Sequence, residues 1–456
     1  MGDFTIYDGS NPHIEAALRM VSDTRCLRLG EGVIGQMGDV FTAYFSGRSA
    51  LIVADTNTFA AAGKEVIDAL TAAGVQVVEP LVFDEPDPHA HISHVERIEQ
   101  RIGASDAIPI AVGSGTINDV AKLAAHRCGR AYIAVGTAAS MDGYTSFGAS
   151  IIADGAKQTF FCPAPIAVIA DLAVITQAPS ELNAAGYGDL LAKIPAGADW
   201  ILAATLASEP IEPQAWSLVQ DHLRAWASNP AAIRRGEPQA IAGLLEGLVM
   251  TGFAMQWSKS SRPAAGAEHQ FSHLWDMCHH RHQGGVPLHG AKVAVGMLAS
   301  TRLYEALLAE PLHELDVPRV CAGWPSLDEV EELVRRTHDL PEVRAVAWRE
   351  MQAKYLTRDQ LAQRLERLKA VWPDLRKRLQ QQLIPSDEIA QMLHEVGAPD
   401  HCSRIGIDVS RLRRSHHEAW QIRSRFTVLD LAAETGLMDT CLDRLFGPGG
   451  AWAGGR

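Results

Sequence analysis

The stretch AIPIAVGSGTINDVAKLAA, residues 107–125, decides the fold. Its first seven residues are a short, almost wholly apolar run, which reads as a strand buried on both faces of a parallel sheet. A Gly-Ser-Gly turn follows, and the chain then enters a helical pattern. The N–H groups of the first helical turn have no partner within the helix, so a glycine-rich turn opening a helix suits an anionic phosphate group. Asn118 stands where the third glycine of a GxGxxG pattern would fall, so the motif is a weak signal alone.

Working outward, the same texture repeats. ALIVAD (50–55), QVVEPLVF (76–83), AYIAVG (131–136) and PIAVIAD (165–171) are apolar runs, with helix-period segments between several of them. Strands alternating with helices predict an α/β domain on a parallel sheet. LRLGEGVIGQM reads as one further short strand before a turn and helix, and FGASIIADGAKQTFFC as a β-hairpin turning at Asp154-Gly155. From about residue 179 every patterned segment has helical period, which predicts an all-α second domain. The expected division is 1–178, 179–445 and a flexible Gly-rich tail, 446–456.

The carboxyl ends of the predicted strands carry the unusual sequences, and ligands of open parallel sheets bind there. Strand 131–136 runs into the small hydroxyl-bearing loop GTAASMDGYTS (136–146). Asp55, ending its strand, is placed either to accept the hydroxyls of an adenosine ribose, which favours NAD over NADP, or to cap the following helix. A dinucleotide site follows from the three features together.

A second constellation lies in RPAAGAEHQFSHLWDMCHHRHQGGVPLHGAKVAVG (262–296). His269 and His273 are four apart on one helical pattern and so share a face. His289 opens the next helical pattern. The carboxylate is supplied from far upstream, by Asp189 in the Gly-flanked AAGYGDLLAK, and one Asp with two His makes a divalent-metal site with an open position. An N2O donor set suits zinc, nickel and ferrous iron alike. The basic residues nearest these motifs are Arg262, Lys193, Lys292 and Lys157. His279, His280 and His282 read as a solvated loop.

The bulk properties bound the function. A chain of 456 residues, 47% hydrophobic, builds large cores without staples. Seven scattered cysteines with no CxxC pair point to free thiols in a cytoplasmic setting. A formal charge of −13 disfavours nucleic acid and anionic membrane as partners. No apolar stretch reads as a membrane span.

Taken in order, GSGTINDVAK, GTAASMDG, PIAVIAD, GYGDLLAK, SRPAAGAEHQFSH and HGAKVAVG resemble the bacterial branch of the sn-glycerol-1-phosphate dehydrogenases, in the iron-containing alcohol dehydrogenase and dehydroquinate synthase-like superfamily. The resemblance extends over residues 25–440. It implies a Rossmann-like N-terminal domain, an all-helical C-terminal domain and an active-site cleft between them. It also implies Asp189, His269 and His289 as metal ligands, with zinc or nickel preferred over iron, and Asp142, Asp189 and His273 at the substrate. Asp55, Gly113, Gly115, Thr116, Ile117, Asn118, Asp119, Thr137, Ala138, Ala139, Ser140 and Ser146 are implied at NAD or NADP. The activity so implied is reversible reduction of dihydroxyacetone phosphate to sn-glycerol 1-phosphate by a homo-oligomer. The competing expectations are a glycerol or polyol dehydrogenase on the same scaffold and a carbocycle-forming lyase of the dehydroquinate synthase type. Asp189 argues against the lyase, whose relatives use Glu as the carboxylate ligand.

Overall fold

The computed structural model describes residues 6–7, 12–85, 89–153, 156–207 and 209–453. They form two compact units. The first is 1–190 with 214–261, the second 191–213 with 262–456. The strands stop where the sequence changes texture near 178, but compactness divides the chain differently, since helices Ser180–Leu191 and Pro238–Ser258 fall largely or wholly in the first unit.

In the first unit, β1 (Ile6–Tyr7), β2 (Cys26–Gly30), β3 (Ala50–Asp55), β4 (Leu81–Phe83), β5 (Ile108–Gly113), β6 (Ile133–Gly136) and β9 (Ala167–Asp171) make one parallel sheet, ordered β1-β2-β9-β6-β5-β3-β4. The short apolar runs are central because continuous apolar character suits strands buried on both faces of the sheet. Ile52, Ile110, Val112, Ile133, Val135 and Ile169 pack with Val40, Phe41, Val66 and Leu70 in one core. Between β6 and β9, β7 (Ala149–Ala153) and β8 (Ala156–Phe160) form the expected hairpin, in register Ala149↔Phe160 to Ala153↔Ala156. Its turn at 154–155 lies outside the described residues.

Run 76–83 is the strand that shrinks. Only Leu81–Phe83 joins β3, with one isolated bridge from Val77 to Ala50. Pro80 has no N–H for the ladder and interrupts it.

Helix Pro238–Ser258 is the one helix among the described residues long and apolar enough to match a membrane span. That match is by length and composition, and 83% of its apolar window is buried within the protein. Gly247 and Gly252 show how closely it is packed: a Cβ there would meet Leu190 at 2.8 Å and Thr145 Oγ1 at 2.0 Å.

The second unit has no named strand among its described residues. Helices Ala267–Met277 and His289–Leu308 pack so tightly that a Cβ on Gly296 would sit 2.4 Å from the Glu268 carbonyl oxygen. The tail is not loose as far as residue 453. Trp452 is 1% exposed, stacks on Phe446 at 6.1 Å and receives the Arg302 guanidinium over its ring at 4.0 Å. A terminal tryptophan at a Gly-rich end carries enough apolar area to outweigh the ordering cost of its neighbours.

His416, on helix Val409–Gln421, is fully buried between Phe271 and Phe446, and burial pushes its pKa down to about 4. A base whose folded pKa is depressed must take up a proton on unfolding once pH falls below about 6.5. Its contribution is complete above that pH and is lost as pH falls towards 4. The expected result is about 3 kcal/mol of acid destabilisation from this residue alone, from the shift at 1.36 kcal/mol per pH unit. Urea titrations at pH 7 and pH 4.5 check it, because His416→Phe is expected to flatten that part of the pH profile.

Candidate active site

In the first unit the two loops at the carboxyl ends of β5 and β6 are built against each other. Their strands are paired to the end, Gly113 opposite Gly136, and the Thr137 N–H donates to the Gly113 carbonyl at 3.2 Å. Gly113 is required, since a Cβ there would lie 2.6 Å from that of Ile117 as the chain turns into helix Gly115–Arg127. Gly115 and Thr116 open that helix, while Ile117 is 1% exposed in the core.

Asn118 and Asp119 carry their side chains elsewhere than the third-glycine position suggests. The Asn118 amide donates to the Gly143 carbonyl at 3.1 Å and accepts from Tyr132 at 3.0 Å. Asp119 accepts from the Ser150 N–H at 3.1 Å, holding the start of β7. By the fourth helical residue the side chain faces the neighbouring loop rather than the helix mouth.

Loop 136–146 is fixed from several sides. Tyr144 donates to the Ala138 carbonyl at 2.7 Å, Thr145 to the Val249 carbonyl at 2.7 Å, and Asn183 accepts from the Ala139 N–H at 3.3 Å. Ala138, Ala139, Ser140 and Ser146 are buried, with Ser146 donating to the Gly143 carbonyl at 3.2 Å. Lys122 was not among the residues singled out from sequence. Its buried ammonium donates to the carbonyls of Gly143, Ser146 and Gly148 at 3.1, 2.9 and 3.0 Å. Burial pushes its pKa down against the pull of Asp119. The signal was present as a lysine on the apolar face of NDVAKLAA.

Asp55 caps a helix. Its carboxylate accepts from the N–H groups of Asn57 and Thr58, both at 2.9 Å, and the Thr58 hydroxyl accepts from the Asp55 N–H at 3.0 Å. Asp189 is wholly buried on helix Ser180–Leu191, and its carboxylate accepts the Asp142 N–H at 3.0 Å. That bond ties the hydroxyl-rich loop to the helix carrying the candidate ligand.

In the second unit the three histidines converge. Ring centroids are 5.3 Å apart for His269 and His289, 6.3 Å for His269 and His273, and 6.4 Å for His273 and His289. One helical turn aligns the first two, and the N-terminus of helix His289–Leu308 delivers the third. The His269 Nδ1–H donates to the buried Glu268 carboxylate at 2.9 Å, so Nε2 is the nitrogen that keeps its lone pair. Ser272 Oγ lies 3.4 Å from His289 Nδ1. Imidazoles oriented through Nδ1 fit a divalent ion bound through Nε2.

The charges around this cluster are mostly committed. Arg262 donates to the carbonyls of Asp199 and Phe426, both at 2.9 Å, and pairs with Glu209 at 3.3 Å. Lys292 pairs with Asp276, both buried. Lys193 is fully buried, four residues after Asp189. Lys157 lies in β8, and its side chain is outside the described residues.

The histidine loop differs from expectation. His280 is buried, its Nε2–H donating to the Ile405 carbonyl at 2.6 Å, and the ring of His282 packs over Gly406, where a Cβ would meet its Nδ1 at 2.4 Å. Only His279 is an outward residue of the three, facing Glu342 at 3.7 Å. Burial lowers the pKa of His280.

A parallel-sheet unit with phosphate-suited loops and a helical unit with a histidine cluster define an alcohol dehydrogenase of the iron-containing class, and the family model for iron-containing alcohol dehydrogenases matches residues 28–179. Solved structures share the fold. A probable glycerol dehydrogenase from Sinorhizobium meliloti 1021 aligns with TM-score 0.59 at 16% identity, covering 92% of this chain and 98% of its own. The glycerol dehydrogenase from Schizosaccharomyces pombe aligns at 0.58 with 18% identity, covering 93% and 91%.

Sequence relatives are more specific. The glycerol-1-phosphate dehydrogenase [NAD(P)+] of Geobacillus stearothermophilus is 34% identical over 384 residues, 83% of this chain and 85% of that protein. The enzyme of that name from Geobacillus thermodenitrificans is 32% identical over 405 residues, 88% and 90% respectively. One from Methanosarcina mazei is 34% identical over 281 residues, 61% and 76%. The chain belongs to the glycerol-1-phosphate dehydrogenase family.

Proposed function

We propose that this protein catalyses the reversible, NAD(P)-dependent reduction of dihydroxyacetone phosphate to sn-glycerol 1-phosphate, with one divalent ion held by Asp189, His269 and His289. The observation that carries the reading is the histidine cluster with its Nδ1 atoms oriented, in a chain similar over most of its length to enzymes of that name. Zinc or nickel is the preferred ion, with iron the third choice. The enzyme is read as a cytoplasmic homo-oligomer, in keeping with its seven free thiols.

When bound, the ion polarises a carbonyl oxygen and the dinucleotide supplies hydride. The chain's own part is alignment. Gly115, Thr116 and the loop from Thr137 to Ser140 receive the dinucleotide, and Lys122 and Asn118 hold the continuation of that loop through the Gly143 carbonyl. Asp142 and His273 meet the substrate, and the imidazole of His273 relays a proton to the product oxygen. Arg262, Lys193, Lys292 and Lys157, the basic residues nearest the site motifs, are the candidates for the substrate phosphate.

The deciding experiment is NAD(P)H oxidation by zinc-, nickel- or iron-reconstituted protein with dihydroxyacetone phosphate, followed by a stereospecific sn-glycerol-3-phosphate dehydrogenase on the product. The expected product is refractory to that enzyme. Turnover of glycerol in preference to the phosphorylated substrate would favour the polyol reading.

Asp55 supplies a separable test. Asn caps a helix as well as Asp does, so Asp55→Asn is expected to leave stability within about 1 kcal/mol. If its charge faces the ribose, the variant accepts NADP at least several-fold better relative to NAD. Unchanged kcat/KM ratios for the two cofactors would leave Asp55 a cap and nothing more.

A further inference from the structure

We infer that Glu268 is a positioning residue for the metal site: its buried carboxylate fixes the tautomer and orientation of His269 and so sets the affinity for the ion. The inference rests on the ligand assignment proposed above. Glu268 is 0% exposed at the second residue of helix Ala267–Met277, next in sequence to His269. One oxygen accepts both the Gly266 N–H at 2.5 Å and the His269 Nδ1–H at 2.9 Å. The other oxygen is buried without a hydrogen-bond partner.

Burying a carboxylate with half its acceptor capacity unused is costly, and the surroundings sharpen the cost. Asp199 lies beside it. A Cβ on Gly266 would meet the Asp199 carboxylate at 2.4 Å and that of Glu268 at 3.0 Å. Asp199 accepts the Ala267 N–H at 2.7 Å, the Val428 N–H at 2.8 Å and the Tyr304 hydroxyl at 2.5 Å. Burial and the Glu268 charge push its pKa up to about 7. The compensating positive field comes from the helix N-terminus and from the guanidinium groups of the buried Arg262 and the partly buried Arg425. An apolar residue would fill this position with less strain. What only a carboxylate provides is an anionic acceptor for Nδ1–H, which raises the basicity of Nε2 and locks the ring.

The test is titration of metal-free protein with zinc ion against a competing chelator, in wild type, Glu268→Gln, Glu268→Asp and Asp189→Ala. Gln keeps an acceptor but loses the charge, and Asp keeps the charge but falls short of the ring. Both are expected to raise the zinc dissociation constant roughly 10- to 100-fold, with far-UV circular dichroism and the unfolding midpoint of the metal-free protein near wild type. If either folded variant binds zinc as tightly as wild type, the inference is wrong while the ligand assignment stands. If wild type binds zinc no better than Asp189→Ala, the ligand assignment itself fails, and Glu268 with it. A shifted unfolding midpoint with unchanged zinc affinity would assign Glu268 a purely structural role and also overturn the inference.

Discussion

Asp189→Ala is expected to lower kcat/KM for dihydroxyacetone phosphate by at least about a thousandfold and to weaken zinc binding by at least about a hundredfold. The first figure follows from the several kcal/mol that a Lewis-acid ion contributes at a developing alkoxide, at 1.36 kcal/mol per tenfold. The second follows from removing the single anionic member of an N2O set. The alanine change does two things at once, however, because the same carboxylate accepts the Asp142 N–H at 3.0 Å and so holds loop 136–146. Asp189→Asn separates them. Its amide oxygen still accepts that N–H, so stability is expected to return towards wild type, while the lost charge keeps zinc affinity and turnover low. Metal content after gel filtration, chelator titration and steady-state kinetics on both variants decide the matter. Wild-type kcat/KM in Asp189→Asn would remove this residue from the ligand set.

The features legible in the sequence were those encoded locally. Runs such as ALIVAD and PIAVIAD became central strands because continuous apolar character leaves a short segment few alternatives. Asp55 was legible as a cap because its partners are two and three residues away. The histidine cluster followed from a four-residue spacing and a helix start.

What escaped depends on partners distant in sequence. Trp452 finds Arg302 and His401, and His280 finds Ile405 and Arg411, which turns a seemingly solvated His-rich loop and a seemingly loose tail into packed structure. Lys122 stands on the apolar face of its helical pattern, but the three carbonyls it meets lie 21, 24 and 26 residues further along the chain. Glu268 was hidden differently. Acids are common in the first turn of a helix, where they complement the dipole, so nothing in AEHQFSH marks this one as turned inward onto its neighbour's ring.

Gly186→Ala is expected to be the most damaging single-methyl substitution near the site. Helix Ser180–Leu191 runs so close to loop 136–146 that a Cβ at 186 would lie 1.8 Å from the Ala139 carbonyl oxygen and 2.7 Å from its carbon. Both atoms are backbone, so no side-chain rotation relieves the overlap; helix and loop must separate. Helix propensity alone favours alanine over glycine by about 1 kcal/mol, which makes the sign of the result informative. Overpacking of this kind costs roughly 1–3 kcal/mol or more. The separation also pulls Asp142 from Asp189 and shifts Ala138 to Ser140, and a displacement near 1 Å at a reacting centre lowers rates on the order of a hundredfold. Gly243→Ala is the matched control: a Cβ there meets nothing within 4 Å on helix Pro238–Ser258, so up to about 1 kcal/mol of stabilisation is expected with wild-type kinetics. Urea unfolding midpoints and the KM for NADH in the two variants carry the comparison. Equal stabilisation by both alanines would mean that helix and loop are not in contact at Gly186, and that loop 136–146 is not held by this helix.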